Sequence, residues 1–133
     1  MCPDTKALLA YVKLELFFAA ICYYIKINPK PITAMAKKIA EQLIDTLVKS
    51  GVERIYAVTG DSLNEVNEAV RKNDQIKWIH VRHEETGAYA AAAEAQLTGR
   101  PGCCAGSSGP GHVHLINGLY DAPRSGAPVI AVS

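Results

Sequence analysis

The sequence predicts a doubly wound α/β fold, a parallel sheet with helices on both faces. Three observations point to it. Short apolar runs alternate with helically spaced apolar residues, the pattern of β-α-β units. The runs are continuously apolar, as strands covered on both faces require. Turn residues cluster just after the runs, where folds of this class bind ligands. The 133 residues suffice for one domain.

From residue 36 the pattern is regular. Ile39, Leu43, Ile44, Leu47 and Val48 recur at helical spacing, and Gly51 can end that helix in a left-handed conformation. Residues 54–58 (RIYAV) suit a buried strand. Residues 59–62 (TGDS) form a turn, with Asp61 or Ser62 expected to cap a helix whose Leu63, Val66, Ala69 and Val70 share one face. Residues 76–81 (IKWIHV) are a second strand, and residues 83–97 an alanine-rich helix stopped near Gly99. A third short run is residues 102–106 (GCCAG), followed by a tight loop, SSGPG. Residues 112–120 then read as one amphipathic helix and residues 128–132 (PVIAV) as a fourth strand. Right-handed crossovers join such strands in nearly all cases.

Residues 1–34 have a different character. Residues 7–25 are apolar but carry Lys13 and Glu15. A charge near the centre of a membrane span costs roughly 2.5–3.5 kcal/mol. The start, MCPDTK, and the bulky Tyr23, Tyr24 and Ile25 do not fit a signal peptide either. Pro29 and Pro31 break the chain before a helix starting around Met35. The expectation is an atypical extension over 1–34, a translated leader with Met35 as the natural start, and one domain over 35–133.

Net charge is +1, with basic residues scattered. That balance gives no electrostatic case for nucleic acid or an anionic membrane surface. Cys2, Cys22, Cys103 and Cys104 form no C-x-x-C pair, and His80, His83, His112 and His114 lack zinc-finger spacing relative to them. Cys103 and Cys104 read as small buried hydrophobes in a reducing, cytoplasmic compartment.

Three loops lie where ligands bind: Thr59-Gly60-Asp61, Arg82-His83-Glu84-Glu85 and residues 106–111 (GSSGPG). HEETG fails as a zinc protease motif because its fifth residue is Gly87. GSSGPG is neither a nucleophile elbow nor a P-loop, which needs a lysine. TGDS lacks dinucleotide-site spacing. Glu84 is the most informative residue: it follows a buried strand and opens a helix. A first-turn acid favoured by the helix dipole is the alternative role, and Glu85 fits that equally well. The small residues Ala90 to Ala93 suit either a partner interface or tight packing on the sheet.

Three stretches, GVERIYAVTGDSLN, RHEETGAYAAAAEAQLTG and CCAGSSGPGHVHLINGLYDA, carry a resemblance. In order and spacing they resemble the pyrimidine-binding domain of thiamine-diphosphate enzymes, the group of pyruvate oxidases, acetolactate synthases and related 2-oxoacid decarboxylases. Within the group, Thr59 and His114 make the chain look most like pyruvate oxidase and the quinone-linked pyruvate dehydrogenase. Many relatives have proline in place of Thr59, and acetolactate synthases usually have asparagine in place of His114.

The resemblance implies that Glu84 hydrogen-bonds N1′ of the cofactor's aminopyrimidine. Burial would raise its pKa so that a proton can be shared with the ring. The imino form of the 4′-amino group then removes the proton from C2 of the thiazolium, and the resulting carbanion attacks a 2-oxoacid, releasing carbon dioxide. Thr59 and Gly60 would lie by the pyrimidine, Pro110 would pack near it, and His114 would sit close to the cofactor or in a subunit interface. Ser107 and Ser108 would only shape their loop.

The resemblance also implies Mg2+ and FAD, bound by domains that these residues do not include; GDS at 60–62 is not the family's GDG motif. It implies pyruvate as the 2-oxoacid and a homo-oligomer, dimer or tetramer, in which a neighbouring subunit's diphosphate-binding domain completes the site. Membrane association of the complete enzyme is compatible with it. On this basis the domain is expected to be incomplete at its C-terminus and inactive alone. An acetolactate synthase-like carboligase, or a binding module pairing with a full-length relative, are the alternatives.

Overall fold

The computed structural model describes residues 37–133. The expectations for residues 1–34 and for a helix start at Met35 lie outside the described residues. Helix α1 (Ile39–Lys49) leads into β1 (Arg54–Ala57). A single 3-10 turn (Asp61–Leu63) and α2 (Asn64–Arg71) follow, then β2 (Lys77–His80) and the long α3 (Glu84–Thr98). Strand β3 (Gly102–Ala105), two short helices α4 (Pro110–His114) and α5 (Ile116–Arg124), and β4 (Val129–Val132) complete it. The strands form one sheet in the order β2-β1-β3-β4, with every neighbouring pair parallel. The doubly wound α/β expectation holds.

Successive strand residues point to opposite faces, and the core divides accordingly. Ile55, Ala57, Cys103 and Ala105 face α1 and α2, packing with Ile44, Leu47, Leu63 and Val70. Tyr56 and Cys104 face the other way, onto Ala88 and Ala91 of α3 and onto Leu115. Strand β3 is buried along its whole length, which is why it reads as a continuous apolar run. Among the described residues no helix is long and apolar enough to cross a membrane.

Helix α3 lies unusually close to its neighbours, and small residues permit it. A side chain at Gly102 would overlap the carbonyl of Ala91, and one at Gly87 would come within 3.0 Å of the Tyr56 carbonyl oxygen. A Cβ at Gly118 of α5 would stand 2.5 Å from the Ala88 methyl. The alanine run therefore packs α3 on the sheet and against α5. Gly99, in the left-handed region at φ 68°, ends the helix as anticipated. At this end Arg54 pairs with Glu94 and Arg100 with Glu53.

Two local expectations are corrected. Neither Asp61 nor Ser62 caps α2, because residues 61–63 form the 3-10 turn and its leading residue is Gly60, with no side-chain cap. The stretch 112–120 is two helices rather than one. Pro110 starts α4 inside the anticipated tight loop, and the chain tightens at Leu115, whose amide reaches back to His112 at 3.2 Å. Leu115 is fully buried, so seating its side chain takes precedence over helix continuity.

Burial pushes the thiols of Cys103 and Cys104 up to about 12, the neighbouring Cys104 adding to the effect on Cys103. Thiols raised by folding stabilise the fold fully below the unfolded-state pKa, near 9, and that contribution is lost as pH rises toward 12. At pH 8 iodoacetamide should leave both unlabelled in the native chain and label both in urea, as read by peptide mass spectrometry.

Candidate functional site

The sheet order creates a crevice. The loop after β1 runs to α2 on one face, and the loop after β3 runs to α4 on the other. They part above the carboxyl ends of adjacent strands, the position at which such folds bind ligands. The two loops are tied together there. Ser62 Oγ accepts from the Ser108 amide at 2.9 Å and lies 3.1 Å from Ser107 Oγ. Gly60 stands so close to Ser107 that any side chain at 60 would strike it. Gly106 and Gly111 approach equally closely, since a Cβ at 106 would lie 2.5 Å from the Gly111 carbonyl oxygen.

Helix α3 brings the third loop to the same place. Val81 extends the β1–β2 ladder by donating to the Ala57 carbonyl at 3.0 Å, and the chain then turns into the helix at His83. His83 is extended and its Nδ1 accepts from the Glu85 amide at 3.3 Å, capping the helix. Glu84, the first helical residue, is the buried charged residue among those described, at 9% exposure. The helix N-terminus favours negative charge in that position.

Glu84 has neighbours on both carboxylate oxygens. His114 Nδ1 donates to Oε2 at 3.1 Å. Oε1 faces Gly111, where an added Cβ would come within 3.0 Å of it. The His114 ring in turn stacks on His83, with centroids 4.5 Å apart and planes inclined by 28°. Glu85 is bound differently, accepting from Asn117 Nδ2 at 3.3 Å on the exposed side. Of the two adjacent acids, only Glu84 points into the crevice region shared by the loops.

One electrostatic expectation is reversed. Burial, the largest single influence, does push the Glu84 carboxyl up. The hydrogen bond from its own backbone, the His114 ring and the charge of His83 together outweigh it, so the carboxyl sits below its ordinary value.

The structure thus gathers Glu84, His114 and Gly60 among the anticipated site residues. Thr59 and Pro110 are exposed beside them, each next in sequence to a glycine of the crevice, Gly60 and Gly111. Sequence reasoning placed His83 and Gly111 in the ligand-side loops without giving either a role, and passed over Ser62 as a site residue. For His83 a signal existed, because a polar residue directly before two acids at a helix start is a capping position.

Residues 37–133 match the family described as "Thiamine pyrophosphate enzyme, N-terminal TPP binding domain". The chain belongs to this family. It is 52% identical over 101 residues to the putative thiamine pyrophosphate-containing protein YdaP of Bacillus subtilis, covering 74% of this chain and 18% of YdaP. It is 50% identical over 91 residues to a pyruvate oxidase of Lactiplantibacillus plantarum, covering 68% and 15% of the two chains. To acetolactate synthase 3 of Brassica napus it is 35% identical over 97 residues, covering 73% and 15%. The chain therefore spans less than a fifth of the length of these relatives.

As a TPP-binding domain, this fold offers features that fit an aminopyrimidine. A buried carboxylate stands beside two closely packed loops, where Gly60 meets Ser107, Gly106 meets Gly111, and Gly111 meets Glu84 itself. The residues do not fit the Mg2+ that the family resemblance implies. Among the described residues the one grouping of three candidate ligands is His83, Glu84 and His114, and magnesium requires oxygen donors in octahedral array.

Replacing His114 with alanine removes two of the influences that hold Glu84 low. The Glu84 titration midpoint should move upward, as followed by carboxyl 13C NMR. A midpoint that stays or falls contradicts the electrostatic account.

Proposed function

We propose that residues 37–133 are the pyrimidine-binding domain of a thiamine-diphosphate-dependent enzyme that decarboxylates a 2-oxoacid. Pyruvate is the substrate we favour, giving acetate or acetyl phosphate and carbon dioxide. The observation that carries the proposal is the burial of one carboxylate, Glu84, at the crevice where the loops after β1 and β3 part. The choice of a pyruvate oxidase or dehydrogenase rests on likeness, 50% to a pyruvate oxidase against 35% to an acetolactate synthase.

When bound, thiamine diphosphate supplies the nucleophilic carbon and the electron sink for decarboxylation. The chain's part is to hold and move one proton. Glu84 would hold the aminopyrimidine by offering a carboxylate oxygen to its ring nitrogen N1′, where a proton could be shared. His114, bonded to the other oxygen, fixes the carboxylate's orientation. Thr59 and Pro110, exposed next to Gly60 and Gly111, would flank the ring. Sharing the proton requires a higher Glu84 pKa than this domain alone provides. Further burial, by the ring and by a neighbouring subunit's diphosphate-binding domain, acts in that direction.

Mg2+ and FAD belong to other domains of the complete enzyme on this proposal. Several large apolar side chains, Val113, Ile116 and Tyr120 among them, are exposed on α4 and α5, which supports a homo-oligomer that covers them. The free, buried Cys103 and Cys104 suit a reducing cytoplasm.

In the complete enzyme, Glu84→Gln should lower turnover by roughly 10²–10⁴-fold with an unchanged circular dichroism spectrum. Near-normal turnover would refute the role of Glu84. Product analysis decides the branch: acetolactate in place of acetate or acetyl phosphate would assign the chain to the carboligases.

A further inference from the structure

We infer that His83, Glu84 and His114 form a binding site for a zinc-class transition-metal ion. One ligand atom from each of the three lies within 4.8 Å of the others. Two imidazoles and one carboxylate are a donor set that zinc takes readily, with a fourth position left to water. The same set discriminates against magnesium and calcium, which require oxygen donors.

The change that ligation needs is confined to side chains. Zinc–nitrogen and zinc–oxygen bonds of about 2.0–2.2 Å put neighbouring tetrahedral donors roughly 3.3–3.5 Å apart. Both histidines are exposed, with the His114 side chain 45% accessible, so side-chain rotation can close the difference. The rings stack with centroids 4.5 Å apart, so their edges must turn toward the Glu84 carboxylate to share an ion, and neither ring is enclosed by the core to prevent it. The backbone frame is fixed independently: His83 and Glu84 by the β2–α3 junction, His114 by the short helix anchored through buried Leu115.

The site rests on this geometry alone. Its consequence, that a bound ion occupies the carboxylate proposed to serve the aminopyrimidine, rests in addition on the proposed function. The metal and the ring would then exclude one another at Glu84.

Calorimetric titration of the full chain with Zn2+ tests the site. One ion per chain is expected, with visible tetrahedral bands when Co2+ replaces it. His114→Ala and His83→Asn, the latter keeping a capping oxygen at 83, should each weaken binding roughly 10–100-fold or more. His112→Ala, outside the triad, should leave affinity unchanged, and Mg2+ should not compete. Absence of zinc binding, indifference to both triad substitutions in chains shown folded by circular dichroism, or equal loss in His112→Ala would overturn the proposal. Because binding is read directly, a chain that takes no zinc while Glu84→Gln still inactivates the complete enzyme fails only the metal site.

Discussion

The arrangement depends on the close approach of α3 to the sheet. A helix normally stands off a sheet by the thickness of its side chains. Here Gly87 and Gly102 remove that thickness at the contacts with β1 and β3, and alanines remove most of it elsewhere. The carbonyl of Ala91 occupies space that a side chain at 102 would need. With the helix seated so low, its N-terminus is carried to the carboxyl ends of β1 and β3. The first helical residue is then necessarily buried, and in this chain that residue is Glu84.

Burying a carboxylate has a cost, and the surroundings show how it is met. An unpaired buried charge would shift to its neutral form or destabilise the fold. Glu84 instead has the partial positive charge of the helix terminus, a hydrogen bond from its own backbone and a donor in His114. These contacts hold the group ionised. The loops after β1 and β3 are braced separately, through Ser62, Ser107 and Ser108, so that their mutual position does not depend on the carboxylate.

Much of this was legible in the sequence, and the parts that were not share a cause. Strand β3 was readable because burial on both faces leaves a continuous apolar run, and the C-terminus of α3 because Gly99 is positioned to take a left-handed turn. Glu84 was legible as a site residue from its place between strand and helix, and the family resemblance sharpened its role. The break at Leu115 was not, because it is set by the seating of that side chain between β3 and α3, a tertiary demand without local signature. Ser62 was misjudged for a similar reason. A serine at a helix start usually satisfies local amides, and here it satisfies one 46 residues away. The proximity of Gly111 to Glu84 likewise joins positions that only the fold brings together.

The sign of the Glu84 shift shows where single-residue reasoning ends. Desolvation alone argues for a raised pKa, and it is indeed the largest contribution. The outcome is set by the sum of smaller opposing contributions, each supplied by a different element: the helix backbone, His114 from α4 and His83 from the preceding loop. Such a carboxylate is poised rather than committed. Losing the His114 contact or gaining further burial would shift it toward the protonated form. A cation held by the ring nitrogens of the two imidazoles would shift it the other way and hold it ionised. Whatever occupies the crevice therefore selects the protonation state of Glu84. A flat ring that shares a proton and a metal ion that excludes one are opposite choices at the same carboxylate.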